Sequence, residues 1–326
     1  MKNSVLLIVL GEPNSVFSEI LFKAYKSNSI KNIKKPIIVI GSVDLLRAQM
    51  KLLKYSIKVI QVEPSDIENI KFNKKKIYII NVDYKYKKIF DKISDKSNLY
   101  INNCFNLALK LIKNKTASEL INGPISKTHF LKKKYLGVTE YLSYKIKSKK
   151  KPTMLIYNSS FAVCPVTTHL PISHVNKFLT KEKIINDIIN INDFYKLRLK
   201  KKTKFAVLGL NPHCESNQKI SEEKKIIIPA ISKLKKRGIK VYGPISADTF
   251  FSKKNLEYYD VAIGMYHDQV LTPMKTIFNF NAINLTLGLS FLRGSPDHGP
   301  NNIMLGKNIS NPQSLIYSIN FFNKIK

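Results

Sequence analysis

Short runs of β-branched and aliphatic residues alternate along the chain with longer stretches whose apolar positions recur at helical spacing. The short runs predict strands at Val5–Leu10, Pro36–Ile40, Ile57–Val62, Ile77–Asn81, Glu119–Ile121 and Thr153–Ile156. Further strands are predicted at Phe161–Val166, Lys204–Leu210, Ile239–Tyr242, Val261–Gly264 and Ala282–Leu287. The longer stretches predict helices at Val43–Leu53, Leu99–Lys113, Lys181–Leu199, Glu222–Lys236 and Pro312–Asn323. This alternation argues for an α/β fold with a largely parallel sheet; the length suits one large domain or two ordinary ones, and the chain is read as two α/β domains with largely parallel sheets. There is no internal repeat, and the lysine-rich stretch Lys145–Lys151 is the candidate crossing point between domains. The expected division is 1–140 plus 300–326 for the first domain and 141–299 for the second. Ligands of such sheets bind beyond the carboxyl ends of strands, so polar motifs just after strands carry the chemistry.

Composition narrows the class. With 326 residues, 44% of them hydrophobic, the chain can bury a sizeable core, and 12 glycines and 14 prolines leave little room for low-complexity tracts. No apolar run approaches the roughly 20 residues that span a bilayer, so no membrane partner is expected. The apolar start, Val5–Leu10, is too short for a signal peptide and is broken by Gly11-Glu12-Pro13, so it reads as a first buried strand of a cytoplasmic protein. Cys104, Cys164 and Cys214 form no Cys-x-x-Cys pair and are expected to be reduced bystanders.

The net charge of +33 is the largest compositional signal. Only four of the 55 basic residues are arginines: Arg47, Arg198, Arg237 and Arg293. Nucleic-acid binders lean on arginine for bidentate contacts, and the lysines here are dispersed in short clusters such as Lys74–Lys76 and Lys200–Lys202. A lysine bias with abundant Ile, Asn, Tyr and Phe reads as AT-rich coding sequence, and no nucleic-acid partner is expected. The charge still favours anionic substrates.

Three of the six histidines closely follow predicted strands. His169 lies in Val166-Thr167-Thr168-His169-Leu170-Pro171, His213 in Gly209-Leu210-Asn211-Pro212-His213, and His267 in Gly264-Met265-Tyr266-His267-Asp268-Gln269. Three imidazoles meeting at strand ends suit Zn²⁺ or a similar divalent metal with positions open to substrate oxygen. Spacings of 44 and 54 residues carry no local signature, so hydrogen-bonded loop histidines stand as the alternative on spacing alone.

The ordered segments around them carry more. They are Thr167–Pro171, Leu210–His213, Gly243–Thr249, Met265–Gln269, Asn284–Leu289, Arg293 and Asp297-His298-Gly299. Together, from Gly11-Glu12-Pro13 to the last helix, they resemble the 4-hydroxythreonine-4-phosphate dehydrogenase family of vitamin B6 (pyridoxine) biosynthesis. The resemblance implies a fold like that of the isocitrate and isopropylmalate dehydrogenases, with a cleft between domains, and a homodimer with the metal site at the interface. The first domain would be the cofactor side, and the second would carry the metal and the dimer contacts. It implies a divalent metal (Zn, Mg, Mn or Co) on His169, His213 and His267, and NAD or NADP near Asp297, His298 and Gly299. Substrate contacts match Thr139, Lys275, Asn284 and Arg293. The reaction implied is oxidation of the secondary alcohol of 4-phosphohydroxy-L-threonine to a 2-amino-3-oxo acid, which loses carbon dioxide to give 3-amino-2-oxopropyl phosphate.

Residue chemistry agrees. Lys275 and Arg293 suit the carboxylate and phosphate of a phosphorylated small molecule. Asp248 and Asp268 suit the orienting of imidazoles, and with Lys275 they are the catalytic candidates. Lys127, in Gly123-Pro124-Ile125-Ser126-Lys127, matches another family segment, whereas His129 and His174 match none.

Five positions depart from the family pattern. The glycine-rich turn after Gly-Glu-Pro reads Asn14–Ser18, so this loop must take another path. The family's His-Thr pair reads Val138-Thr139, and a further family histidine is Ser126. The stretch after His213 reads Cys214–Gln218 without glycine, and Pro300-Asn301 follow Gly299 where the family has Thr-Ala. Two other readings therefore stay open: a dehydrogenase of another phosphorylated four-carbon hydroxy acid, such as erythronate or threonate 4-phosphate, and a catalytically lapsed basic binding protein.

Overall fold

A computed structural model describes residues 5–132, 134–135, 137–148, 150–215, 221–279, 281–296 and 299–325. The chain divides into two compact units, 1–148 with 290–325, and 149–289. The first segment contains strands β1 (Val5–Val9), β2 (Ile37–Gly41), β3 (Lys58–Gln61), β4 (Lys76–Asn81) and β5 (Ala117–Asn122). Its helices are α1 (Phe17–Lys26), α2 (Val43–Leu52), α3 (Asn98–Lys113) and α4 (Val138–Lys145). The second unit contains β6 (Thr153–Tyr157), β7 (Ala162–Thr167), β8 (Lys204–Leu208), β9 (Lys240–Ile245), β10 (Val261–Tyr266) and β11 (Ile283–Leu287). Its helices are α5 (Val175–Phe178), α6 (Lys181–Arg198), α7 (Ile228–Lys235), α8 (Ala247–Phe250), α9 (Lys253–Tyr258) and α10 (His267–Phe278). The chain then returns to the first unit with β12 (Leu292–Pro296) and α11 (Gln313–Lys324).

In the first unit the strands run in the order β3-β4-β2-β1-β5-β12, every pair parallel. β1 is five consecutive aliphatic residues, all buried, because helices cover both faces of a parallel sheet. α3 turns Tyr100, Ile101, Cys104, Phe105, Ala108 and Leu111 inward, an apolar stripe at helical spacing that packs on β1, β2 and β5. α2 starts where the Ser42 hydroxyl accepts the Leu45 N–H at 3.3 Å, a side-chain cap. This unit takes in 141–148 and 290–296, which the sequence reading gives to the second domain. The reason is visible in β12, which hydrogen-bonds to β5, and in α4, which continues unbroken to Lys145.

In the second unit the order is β11-β6-β7-β10-β8-β9. β11, β6 and β7 pair antiparallel, and β7, β10, β8 and β9 pair parallel. The core gathers Val163, Ala206, Leu208 and Ala262 from the strands with Phe161 just before β7, Phe250 of α8 and Val270, Leu271 and Met274 of α10. Burying each large side chain contributes roughly 1.5–3 kcal/mol. The two helices that carry the candidate site are thus anchored from beneath.

Several elements differ from the sequence reading. α1 begins at Phe17, inside the segment read as a rerouted loop, and Asn14–Ser18 are all buried. The Ser15 hydroxyl donates to the Glu12 carbonyl at 2.7 Å and accepts the Phe17 N–H, which turns the chain into α1 without the expected glycines. The predicted Glu222–Lys236 helix opens with a wide five-residue turn at Glu223–Ile227 before α7, because Pro229 has no N–H to donate. β9 runs on through Gly243-Pro244, tolerable at an end of the strand order where no further partner needs the missing N–H. All three cysteines are free. Among the described residues, no helix is long and apolar enough to cross a membrane.

Candidate active site

His169, His267 and His213 follow β7, β10 and β8, three parallel strands that are neighbours in that order, and Asp248 follows β9, the next strand along. All four lie at carboxyl ends, on one rim of the second unit's sheet. Neighbouring strands are roughly 5 Å apart, so the outer two histidine-bearing strands are separated by roughly 10 Å.

Local bonds fix this rim. The Thr167 hydroxyl donates to the Met265 carbonyl at 2.7 Å, tying the end of β7 to that of β10. Gln269, in the first turns of α10, accepts the Met265 N–H at 2.7 Å and donates to the Gly209 carbonyl at 2.7 Å, tying β10 to the His213 loop. Glu223 holds that loop from the other side. One carboxylate oxygen accepts the N–H groups of Leu210 and Asn211, at 2.9 and 2.8 Å, and the other accepts the Asn211 side-chain amide at 2.8 Å. Burial pushes the Glu223 carboxyl up, but these hydrogen bonds outweigh it and hold its pKa below the ordinary value.

The backbone itself is strained here. His169 and His213 both have φ of 55°, and Cys214 has φ of 60°. Non-glycine residues in the left-handed region are uncommon and persist where surrounding bonds over-determine them, as they do at functional sites.

The side chains meet in pairs. The rings of His169 and His267 have centroids 5.5 Å apart. Nδ1 of His267 lies 2.6 Å from Asp268 Oδ1, which favours a proton on Nδ1 and leaves the Nε2 lone pair outward. His213, 75% exposed, has Nδ1 4.0 Å from Asp248 Oδ2. The Ser246 hydroxyl donates to Asp248 at 2.6 Å, and this bond first, then the Thr249 N–H and the charge of His213, hold its carboxyl below the usual range. Among the described residues, no three His, Cys, Asp or Glu side chains are gathered closely enough to grip one ion. The structure therefore brings His169 and His267 together and sets His213 on the adjacent strand, turned toward Asp248. Three imidazoles, two of them with a carboxylate at or near Nδ1, are a donor set that fits a borderline divalent metal once His213 is brought toward the other two.

The other sequence-predicted residues fall in both units. Lys275 is exposed in the last turn of α10, and Asn284 is partly buried on β11. The Asn284 side-chain oxygen is buried with no hydrogen-bond partner among the described residues, a vacancy for a donor. In the first unit, Thr139 is the second residue of α4. Arg293 is buried at 4% exposure on β12, and its Nε donates to Asn122 Oδ1 at 2.7 Å. Burial pulls its pKa down to about 10, so the guanidinium stays charged at neutral pH. Lys127 is exposed at the start of a wide turn, where Ser126 caps the His129 N–H at 3.1 Å. His129 pairs with Asp95 at 2.9 Å, a role the sequence leaves blank. Asp297 and His298 lie outside the described residues; Gly299 is exposed, and a side-chain Cβ there would meet no other atom.

Gln269 and Glu223 escape the sequence reading. The available signal for Glu223 was the Glu222-Glu223 pair, acidic neighbours in a chain with 55 basic and 22 acidic residues.

Known proteins resemble the chain along nearly its whole length. Residues 32–322 match the family described as pyridoxal phosphate biosynthetic protein PdxA. A 4-hydroxythreonine-4-phosphate dehydrogenase from a Sulfurihydrogenibium species is 36% identical over 321 residues, 96% of either chain. The crystal structure of a 4-hydroxythreonine-4-phosphate dehydrogenase from Klebsiella pneumoniae has the same fold, with a TM-score of 0.85 at 23% identity over 98% of this chain and 97% of that one. A β-decarboxylating dehydrogenase from Thermococcus kodakarensis shares the fold more distantly, with a TM-score of 0.50 at 10% identity, covering 98% of this chain and 82% of that one. Matched over most of its length by the family model and over nearly all of it by a relative at 36% identity, the chain belongs to the PdxA family of pyridoxal phosphate biosynthetic proteins.

Proposed function

We propose that this chain oxidises 4-phosphohydroxy-L-threonine with NAD or NADP, using a divalent metal on His169, His213 and His267. The observation that carries the reading is the placement of those histidines and Asp248 on four adjacent parallel strand ends, in a chain of this family. Oxidation would remove the C–H hydride of the substrate's secondary alcohol, which a bound NAD or NADP would take up, while the O–H proton leaves to solvent. The resulting 2-amino-3-oxo acid breaks its bond to the carboxylate, releasing carbon dioxide. The electron pair moves onto the neighbouring ketone, and protonation gives 3-amino-2-oxopropyl phosphate. A bound metal supplies Lewis acidity at the reacting oxygen.

The chain's own residues do the rest. Asp268 accepts from His267 Nδ1 and so holds the ring with Nε2 free; Asp248 stands ready to do the same for His213. Lys275 and Arg293 pair with the carboxylate and phosphate of the substrate. The unpartnered Asn284 oxygen accepts a substrate donor such as the amino group, and Thr139 contributes at the start of α4. Asp297, His298 and Gly299 are proposed for the cofactor side. The chain acts as a homodimer with the metal site at its interface. Ile172 and Phe178, which follow His169 closely, are 69% and 50% exposed, apolar surface that a second copy would cover.

Reduction of NAD and of NADP is to be measured with 4-phosphohydroxy-L-threonine, erythronate 4-phosphate and threonate 4-phosphate. The account expects the highest kcat/KM with the first. Preference for either of the others would transfer the chain to the sibling activity that Val138 leaves open.

A further inference from the structure

The amino ends of β2 and β4 border a pocket in the first unit, at the opposite end of these strands from Ser42 and the Gly11-Glu12 loop. It encloses only about 60 Å³ and opens to solvent at its mouth, so a ligand there lies against its wall rather than inside it.

Both walls are held in place before any ligand arrives. On one side the Tyr78 hydroxyl accepts the Asn73 N–H at 3.0 Å and donates to the Lys71 carbonyl at 3.2 Å, pinning the 71–78 turn. This sets Phe72 edge-on to Tyr78, with ring centroids 4.9 Å apart. On the other side Asn323 of α11 accepts the N–H groups of Lys34 and Lys35, at 2.7 and 3.2 Å, fixing the segment that follows Ile33. The floor is therefore aromatic and aliphatic and already ordered, which reduces the entropy lost on binding.

The rim is cationic. Lys35 is spoken for, bound to the buried Glu119 carboxylate at 2.5 Å. Lys34, Lys74 and Lys76 also line the pocket and form no ion pair among the described residues. The Tyr25 side chain lines it too, and its hydroxyl has no hydrogen-bond partner among the described residues. An aromatic floor, a free phenol and uncompensated ammonium groups form one recognition pattern: a flat ring to pack on Phe72 and Tyr78, and an anion for the lysines.

We propose that this pocket is a second small-molecule site, separate from the histidine rim, that takes a single aromatic or heteroaromatic ring bearing a phosphate. The full-length protein is titrated calorimetrically with phenyl phosphate, inorganic phosphate and phenol. Phenyl phosphate should bind at least about tenfold more tightly than either fragment, because ring and anion are recognised together. Lys74→Ala with Lys76→Ala should weaken it by about tenfold or more, and Tyr25→Phe severalfold. The control is Lys233→Ala with Lys235→Ala, which removes the same charge from exposed positions on α7 and should leave binding unchanged. Equal loss in the two double variants would mean that the +33 charge attracts anions without a site, and would overturn the proposal. So would phenyl phosphate binding no better than inorganic phosphate, or binding unaltered by the Lys74, Lys76 and Tyr25 changes.

Discussion

Asp187 offers a quantitative test of how the second unit is held together. It lies on α6 with 2% exposure, accepting the Thr153 hydroxyl at 2.6 Å, while Asn190 donates to the same hydroxyl at 3.0 Å. Burial raises its pKa from 3.8 to about 6, against opposing pulls from Lys183 and the hydrogen bonds of Thr153 and Asn186. The folded state therefore keeps a proton that the unfolded chain has already released. Stability falls as pH rises from about 4 to about 6, and above that the loss is complete. A shift of about two units corresponds to about 3 kcal/mol, roughly half of it accruing above pH 5. Asp187→Asn keeps an acceptor for Thr153 and removes the charge. Urea unfolding of wild type and variant, compared at each pH so that other groups cancel, should show the variant gaining on wild type between pH 5 and pH 8 by roughly 1–2 kcal/mol. A stability difference that is flat with pH, or that favours wild type at pH 8, would refute the claim that burial dominates at this carboxyl.

Three further outcomes follow from the site. Asp268→Asn should weaken metal affinity by roughly 10–100-fold in a competitive chelator titration, since it removes the carboxylate that orients His267. Arg293→Lys should lower kcat/KM by roughly 10–100-fold, because a lysine cannot both keep the bond to Asn122 and serve the proposed substrate anion. If the chain pairs as proposed, Ile172→Glu with Phe178→Glu should convert the dimer to monomer in analytical ultracentrifugation, because both changes charge exposed apolar surface.

Much of the architecture was readable from aliphatic runs. β1, β4 and β10 are continuous buried segments that no other element type explains, and α3 carries its stripe in plain view. The histidine positions were readable too, because each followed a recognisable strand. What escaped did so for local reasons. β12 reads Leu-Arg-Gly-Ser-Pro, poor in strand formers, and exists because β5 offers it a partner. α10 contains Pro273, which removes one helical hydrogen bond, yet Val270, Leu271 and Met274 bury enough apolar surface to keep it. The bridges made by Gln269 and Glu223 join residues 60 and 12 or 13 positions apart, distances at which a sequence gives no geometric cue. The turn of His213 toward Asp248 is equally invisible in sequence, since it depends on side-chain rotamers at an exposed loop.

The most direct test of the central claim is metal stoichiometry. Protein stripped with chelator and reloaded with Co²⁺ or Zn²⁺ is assayed for bound metal per chain, in wild type and in His169→Ala, His213→Ala and His267→Ala. One tightly bound ion per wild-type chain is expected, with loss of that ion in each variant and circular dichroism showing all four proteins folded. Unchanged metal uptake in the His213→Ala protein would contradict it.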